Sequence, residues 1–136
     1  MTFIHSHRVR YHETDAQSFL FNSRYLEIAD VALTEFLRHL GFDYAGLAHT
    51  YDTDPSVVSA QLTFTRPARF DEVLDFRVAC VRVGRSSFEL AHTVMAGDAQ
   101  VAAINIVYVN VDTELAASRP LHPAVADALT RYRSAT

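Results

Sequence analysis

The chain has no lysine: in its 136 residues, arginine supplies all twelve of the fixed cationic side chains. That absence excludes Schiff-base chemistry on lysine, a pyridoxal anchor and a phosphate loop built on lysine. Any anion the protein binds must be met by arginine, histidine or backbone amides. Cys80 is the only cysteine, so no internal disulfide can form, and no spaced set of cysteines and histidines suggests zinc. Tryptophan is absent too. With a net charge of −4 and acids interspersed with arginines, the chain lacks the basic excess of a nucleic-acid binder. Its longest apolar stretch, Val101–Val111, is broken by Asn105 and is too short to span a bilayer. Met1–Arg8 lacks the apolar core of a signal peptide. These exclusions lead us to expect a soluble, cytoplasmic protein with no nucleic-acid or membrane partner.

What is present suffices for one domain over residues 1–136, with apolar residues at 49%. A chain of this length buries roughly 68–70% of its unfolded surface without staples. Residues 3–12 alternate in character and predict a strand. Residues 13–22 start polar and lose the period, a loop whose Phe19-Leu20-Phe21 run must bury something. From Ser23 to Leu40 the apolar residues Leu26, Ala29, Leu33, Phe36, Leu37 and Leu40 recur at three- and four-residue steps, the mark of a long amphipathic helix. Asn22 or Ser23 can cap its start and Gly41 can stop it. A short helix or turn is expected around Asp43–His49. Alternation then predicts strands through Val58–Phe64, Leu74–Cys80 and Phe88–Val94. Val101–Val111 reads as a strand covered on both faces. A last helix follows His122-Pro123. No repeats, linkers or low-complexity segments interrupt this order, which reads as α+β with the long helix on one face of an antiparallel sheet.

The densest candidate for chemistry is Tyr11-His12-Glu13-Thr14-Asp15-Ala16-Gln17-Ser18. A carboxylate in a loop before a helix lies close to free first-turn amides, which carry partial positive charge and can hold a developing oxyanion. Asp15 could act there as general base on water or attack an acyl carbon; the plainer reading is a turn or a cap. Glu27 and Asp30 on the long helix are its rivals. His5 and His7 share a strand side that His12 does not, which leaves no metal set. Cys80 falls on an apolar strand face, as a core residue does. Ser86 and Ser87 lack the context of a nucleophile elbow.

Arg8-Val9-Arg10-Tyr11-His12-Glu13-Thr14-Asp15, with Ser18 and Tyr25-Leu26 beyond, resembles the signature of hotdog-fold acyl-CoA thioesterases of the 4-hydroxybenzoyl-CoA thioesterase type. Val58–Phe64 followed by Pro67–Leu74, then Gly84–Phe88, Val111-Asp112, Arg119-Pro120 and Pro123 continue the likeness, over roughly residues 5–130. The resemblance implies an antiparallel five-stranded sheet wrapped around a long central helix. It implies hydrolysis of an acyl-CoA by Asp15, as nucleophile or general base, with the backbone amide of Asn22 polarising the thioester carbonyl. Arg85, Ser86 and Ser87 would meet the phosphates or nucleotide end of coenzyme A. Tyr25, Asp30, Ser59 and Gln61 would lie near the acyl group, as would Phe19 and Phe21. No metal or redox cofactor is called for, coenzyme A being part of the substrate. A homodimer or tetramer with sites between subunits is implied.

One departure stands out. The family usually has glycine at the position of Ser18, and serine is strained there if φ is positive. Three other readings stay open. A hydratase of this superfamily pairs Asp with a His five residues on, where this chain has Leu20. A non-catalytic acyl-CoA binder would tolerate an altered loop. A hydrolase of acyl-carrier-protein thioesters would see the same pantetheine arm.

Overall fold

Residues after Ser23 wind into helix α1, Arg24–His39, in the computed structural model of the chain, which describes residues 2–133. Of the predicted stripe, Ala29, Leu33, Phe36 and Leu37 are buried and are joined by Ile28 and Ala32, whereas Leu26 at the first turn is exposed and Leu40 at the end only half-buried. Ala29 and Ala32, without side chains beyond Cβ, let the helix sit close to the sheet. Gly41, at φ 102°, ends it in the left-handed conformation that favours glycine. The start is uncapped: Ser23 occupies the cap position, but its side chain makes no capping bond.

The sheet comprises β1 (Phe3–Arg8), β2 (Pro55–Phe64), β3 (Val73–Val83), β4 (Ser87–Ala96) and β5 (Ala99–Asp112) in the order β1-β3-β4-β5-β2, every neighbour antiparallel. A two-residue β6 (Ala117–Ser118) adds to β5. Helices α2 (Tyr44–Thr50) and α3 (Pro123–Thr130) complete the chain. Asp43 caps α2 by accepting the Gly46 N–H, and His122 caps α3 by accepting the Ala124 N–H.

The sheet curls round α1, and its inner face is the core. Leu74, Phe76, Val78 and Cys80 of β3, and Ala102, Ile104, Ile106 and Tyr108 of β5, alternate inward and are buried. The other face of β5 is only half-buried, so the near-continuous apolar run is covered on one side, not two, within a single chain. Strand β1 is shorter than its alternation suggested. Its pairing stops at Arg8–Val73 because β3 begins there.

Asn110, wholly buried, ties β5 to both neighbouring segments. Its side-chain amide donates to the Asp52 and Pro120 carbonyls, while its oxygen accepts from Asp54 N–H and Arg119 Nε. Strand β2 is different from the rest. It is exposed along nearly its whole length, including Val57, Val58 and Phe64, and carries no charged side chain. A bulge between Val57 and Ser59 gives Val57 the inward register opposite Tyr108. An ungated ten-residue edge of this kind is a pairing template.

Candidate active site

After β1 the chain makes one 3-10 turn at Tyr11–Glu13 and then a narrow loop. A Thr14–Leu20 bridge and a 3.0 Å bond from Phe21 N–H to the Glu13 carbonyl close that loop. The Glu13 side chain anchors it. Its buried carboxylate accepts the Arg10 N–H at 2.8 Å and lies 2.8 Å from His7 Nε2 on β1. Burial alone would push this carboxyl up, but the Arg10 N–H and His7 bonds outweigh it and hold it below its ordinary range. The Arg10 guanidinium lies 3.1 and 3.3 Å from the two ring nitrogens of His7, over the ring rather than in line with one lone pair.

Inside the loop Asp15 has two unlike oxygens. Oδ1 accepts the N–H groups of Gln17, at 2.8 Å, and Phe19, at 3.2 Å, an Asx-type turn that fixes the carboxylate plane. Oδ2 has no hydrogen-bond partner among the described residues. The turn and chemical readings of Asp15 are therefore compatible, since one oxygen serves each. Ser18 holds the loop's shape at φ 64°. A residue with Cβ is strained there. Ser18→Gly is expected to stabilise the protein by about 0.5–1 kcal/mol, read from urea unfolding midpoints; a destabilised variant would show that the hydroxyl outweighs the strain.

The loop delivers the chain to the uncapped start of α1. Neither Asn22 N–H nor Ser23 N–H donates to any acceptor among the described residues. These are the orphan donors of a helix N-terminus, where the peptide dipoles sum to partial positive charge. Asp15, Gln17, Phe19, Phe21, Asn22 and Tyr25 line a cavity of about 590 Å³ together with Phe64, Arg66 and Pro67. Tyr25 is buried and packs edge-on against Phe64 at 5.1 Å. Arg66 reaches Glu72 through two bonds of 3.1 and 3.2 Å, a bidentate pair that holds the Glu72 carboxyl below its usual range. Nothing local in the sequence marks Phe64 or Arg66 as cavity residues, because they arrive from the far end of β2.

The remaining predicted residues fall elsewhere. Asp30 lines a smaller, neighbouring cavity with Leu26, Val57, Ile106 and Tyr108. Glu27 is ion-paired with Arg24 at 2.9 Å. Ser59 and Gln61 sit opposite Val107 and Asn105, on the face of the sheet turned away from α1, and they line neither cavity. Arg85, Ser86 and Ser87 form the β3–β4 turn, where Arg85 is exposed and Ser87 Oγ accepts from Arg82 at 3.2 Å. That turn is at the opposite end of the sheet from Asp15. Val109 pairs with both Ser56 and Ser87, whereas Ala102 pairs with Phe64. Among the described residues no group of three or more His, Cys, Asp or Glu could hold a metal, and no helix is long and apolar enough to cross a membrane.

An antiparallel sheet curled round one long helix, with a carboxylate loop opening on that helix's uncapped N-terminus, is the hotdog arrangement. Residues 17–103 match the model of the thioesterase superfamily, and the chain belongs to that family. It is similar to a protein of Aquifex aeolicus (strain VF5) that bears the name of an esterase, with 30% identity over 105 residues, 77% of this chain and 81% of the relative. Among solved structures it resembles a gentisyl-coenzyme A thioesterase at 24% identity and TM-score 0.85, over 93% of this chain and 99% of that one. It also resembles a 1,4-dihydroxy-2-naphthoyl-CoA thioesterase from Synechocystis at 16% identity and TM-score 0.85, over 96% of each chain. The protein is a thioester hydrolase.

Proposed function

We propose that the protein hydrolyses acyl-CoA thioesters at the Asp15 loop, in a site completed by a second copy of the chain. The observation that carries the chemistry is the free Oδ2 of Asp15 in one cavity with the unspent N–H of Asn22. A thioester carbonyl placed between them has its oxygen on the Asn22 N–H and its carbon facing the carboxylate. As a nucleophile adds, negative charge grows on that oxygen, and one aligned donor contributes about 3 kcal/mol of barrier lowering. Asp15 either deprotonates the attacking water or attacks first and is released by water. In both routes the carbon–sulfur bond breaks, the acid leaves with the new oxygen, and the water proton ends on coenzyme A sulfur or solvent. A thiolate is a good leaving group, so no separate acid is required.

The second copy is argued from β2. Within one chain Arg85 and Asp15 lie at opposite ends of a strand of ten residues, about 30 Å long. Pairing two β2 edges antiparallel about a two-fold axis sets the Pro55 end of one chain beside the Phe64 end of the other. Arg85, Ser86 and Ser87 of the partner subunit then approach the Asp15 cavity, and the exposed Val57, Val58 and Phe64 gain a cover. Arginine suits the coenzyme A phosphates because its guanidinium forks onto two oxygens.

Free-thiol release over short, long, branched and aromatic acyl-CoAs tests the activity, with an acyl-carrier-protein thioester as comparison. Release from the carrier thioester alone would replace coenzyme A as carrier, and binding without thiol release would reject catalysis. Subunit mixing tests the shared site. Asp15→Asn and Arg85→Ala proteins, each impaired alone, are expected to recover about a quarter of wild-type activity when unfolded and refolded together. Half the dimers are then mixed, and each mixed dimer has one intact site of two. No recovery, with dimer exchange verified by mass, would place both residues in one chain's site.

A further inference from the structure

A second group of charged side chains sits beside the Asp15 loop and takes no part in the chemistry proposed there. His7 and Glu13 meet at 2.8 Å, with side chains 13% and 11% exposed. Together with Arg24, Glu27, Ile28 and Val31 they line a cleft of about 160 Å³ between β1 and α1. This cleft shares no lining residue with the Asp15 cavity.

Glu13 is joined to both legs of the loop. The outgoing leg carries Asp15 two residues further on. The return leg is tied to the Glu13 carbonyl by Phe21 N–H at 3.0 Å, one residue before Asn22. The side chain then fixes this base to the sheet. Arg10 N–H and His7 Nε2 both lie 2.8 Å from Glu13 Oε1, and His7 Nε2 lies 3.1 Å from Oε2. Other groups hold the tip: Leu20 N–H donates to the Ala68 carbonyl at 2.8 Å, and Phe70 N–H to the Ser18 carbonyl at 3.3 Å. The cleft leaves the base loosely packed on its outer side, so directional bonds to a carboxylate hold it there. An apolar side chain at position 13 would fill space without setting a direction.

We infer that Glu13 is a positioning residue for hydrolysis: clamped by His7 and Arg10, it sets the Asp15 carboxylate and the Asn22 amide at their working separation. The inference rests on the Asp15 chemistry proposed above. Glu13 touches no reacting atom and acts through the loop alone. A misplacement of about 1 Å at a reacting group costs on the order of 10²-fold in rate.

Steady-state kinetics on the best acyl-CoA of the thiol-release screen provide the test. Glu13→Ala removes the clamp and is expected to lower kcat about 10- to 100-fold, with KM changed about 2-fold or less. Glu13→Gln retains an oxygen for Arg10 N–H and His7 Nε2, and should keep kcat within about 3-fold of wild type. His7→Phe keeps a ring beneath the Arg10 guanidinium but loses the bond to Glu13; about 3- to 10-fold of kcat should go. The double variant Glu13→Ala/His7→Phe should be no slower than Glu13→Ala, since both changes open one clamp. A raised KM with kcat intact, or losses that multiply in the double variant, would overturn the inference. If Glu13→Ala melts below the assay temperature, His7→Phe decides, and an unchanged kcat there overturns it too. Asp15→Asn separates the inference from the reading beneath it. Wild-type turnover by Asp15→Asn rejects the catalytic assignment, whereas an impaired Asp15→Asn beside an unimpaired Glu13→Ala rejects the clamp alone.

Discussion

Asp15→Asn is expected to lower kcat by about 10²–10⁴-fold, the range for loss of a positioned base, and to leave the fold as it is. The substitution separates the two duties of this side chain. Asparagine Oδ1 can still accept the Gln17 and Phe19 N–H groups that define the turn. What it removes is the second, unpartnered oxygen and its charge, the part that deprotonates water or attacks the acyl carbon. KM should change little if binding rests on the Phe19–Phe64 cavity and on the coenzyme A arm. Thiol-release kinetics and a thermal melt of the same preparation decide the matter. An unchanged kcat with an unchanged melt would transfer the role to α1, with Asp30 ahead of Glu27, because Glu27 is already paired with Arg24.

The largest expected effect on stability comes from a residue outside the site. His92 lies on the inner face of β4, between Val78 and Ile104 on the flanking strands, and neither ring nitrogen has a hydrogen-bond partner among the described residues. Burial lowers its pKa to about 4 from 6.5. Between those values the unfolded chain binds a proton that the folded chain refuses. Stability is therefore complete above pH 6.5 and falls as pH drops towards 4, by about 3 kcal/mol in all. Replacing His92 with Leu should remove that loss, because nothing at the position titrates. Glu13 and Glu72, both held low by their partners, also cost stability in acid. They do so equally in both proteins, so the informative quantity is the difference between His92→Leu and wild type. Urea unfolding at pH 7 and pH 4.5 measures it; a difference independent of pH would reject a buried neutral imidazole.

Much of the architecture is visible in local pattern. The three- and four-residue spacing from Leu26 to Leu40 required one face of α1 to be buried, and Gly41 marked where it stops. Alternation located β2 to β4, and an almost continuous apolar run β5, within a few residues, since the side-chain pattern of a strand is a property of consecutive residues. Even so, alternation did not show where β2 lies in the sheet. Ala60, Leu62 and Phe64 do share a side, opposite the inward Ile106, Ile104 and Ala102, but the bulge gives the next inward place to Val57 instead of Val58, and the strand is the exposed edge of the sheet. Edge or centre is decided by which strands pair, and pairing partners lie far away in the chain.

The same division runs through the site. Sequence alone placed a carboxylate at Asp15 just before a helix, and it determined that every lasting cation in this protein is arginine. Chemistry by lysine was excluded before any fold was known. Only the tertiary structure decided that one Asp15 oxygen is locked and the other free, because that depends on the Ser18 backbone turning to positive φ. It also decided that Arg85 stands a strand's length from Asp15, that Phe64 and Arg66 join the cavity, and that His92 is buried with both ring nitrogens unmet among the described residues. Composition and period are local and survive in the bare sequence. Register, burial and the pairing of distant polar groups arise only when the strands assemble around α1.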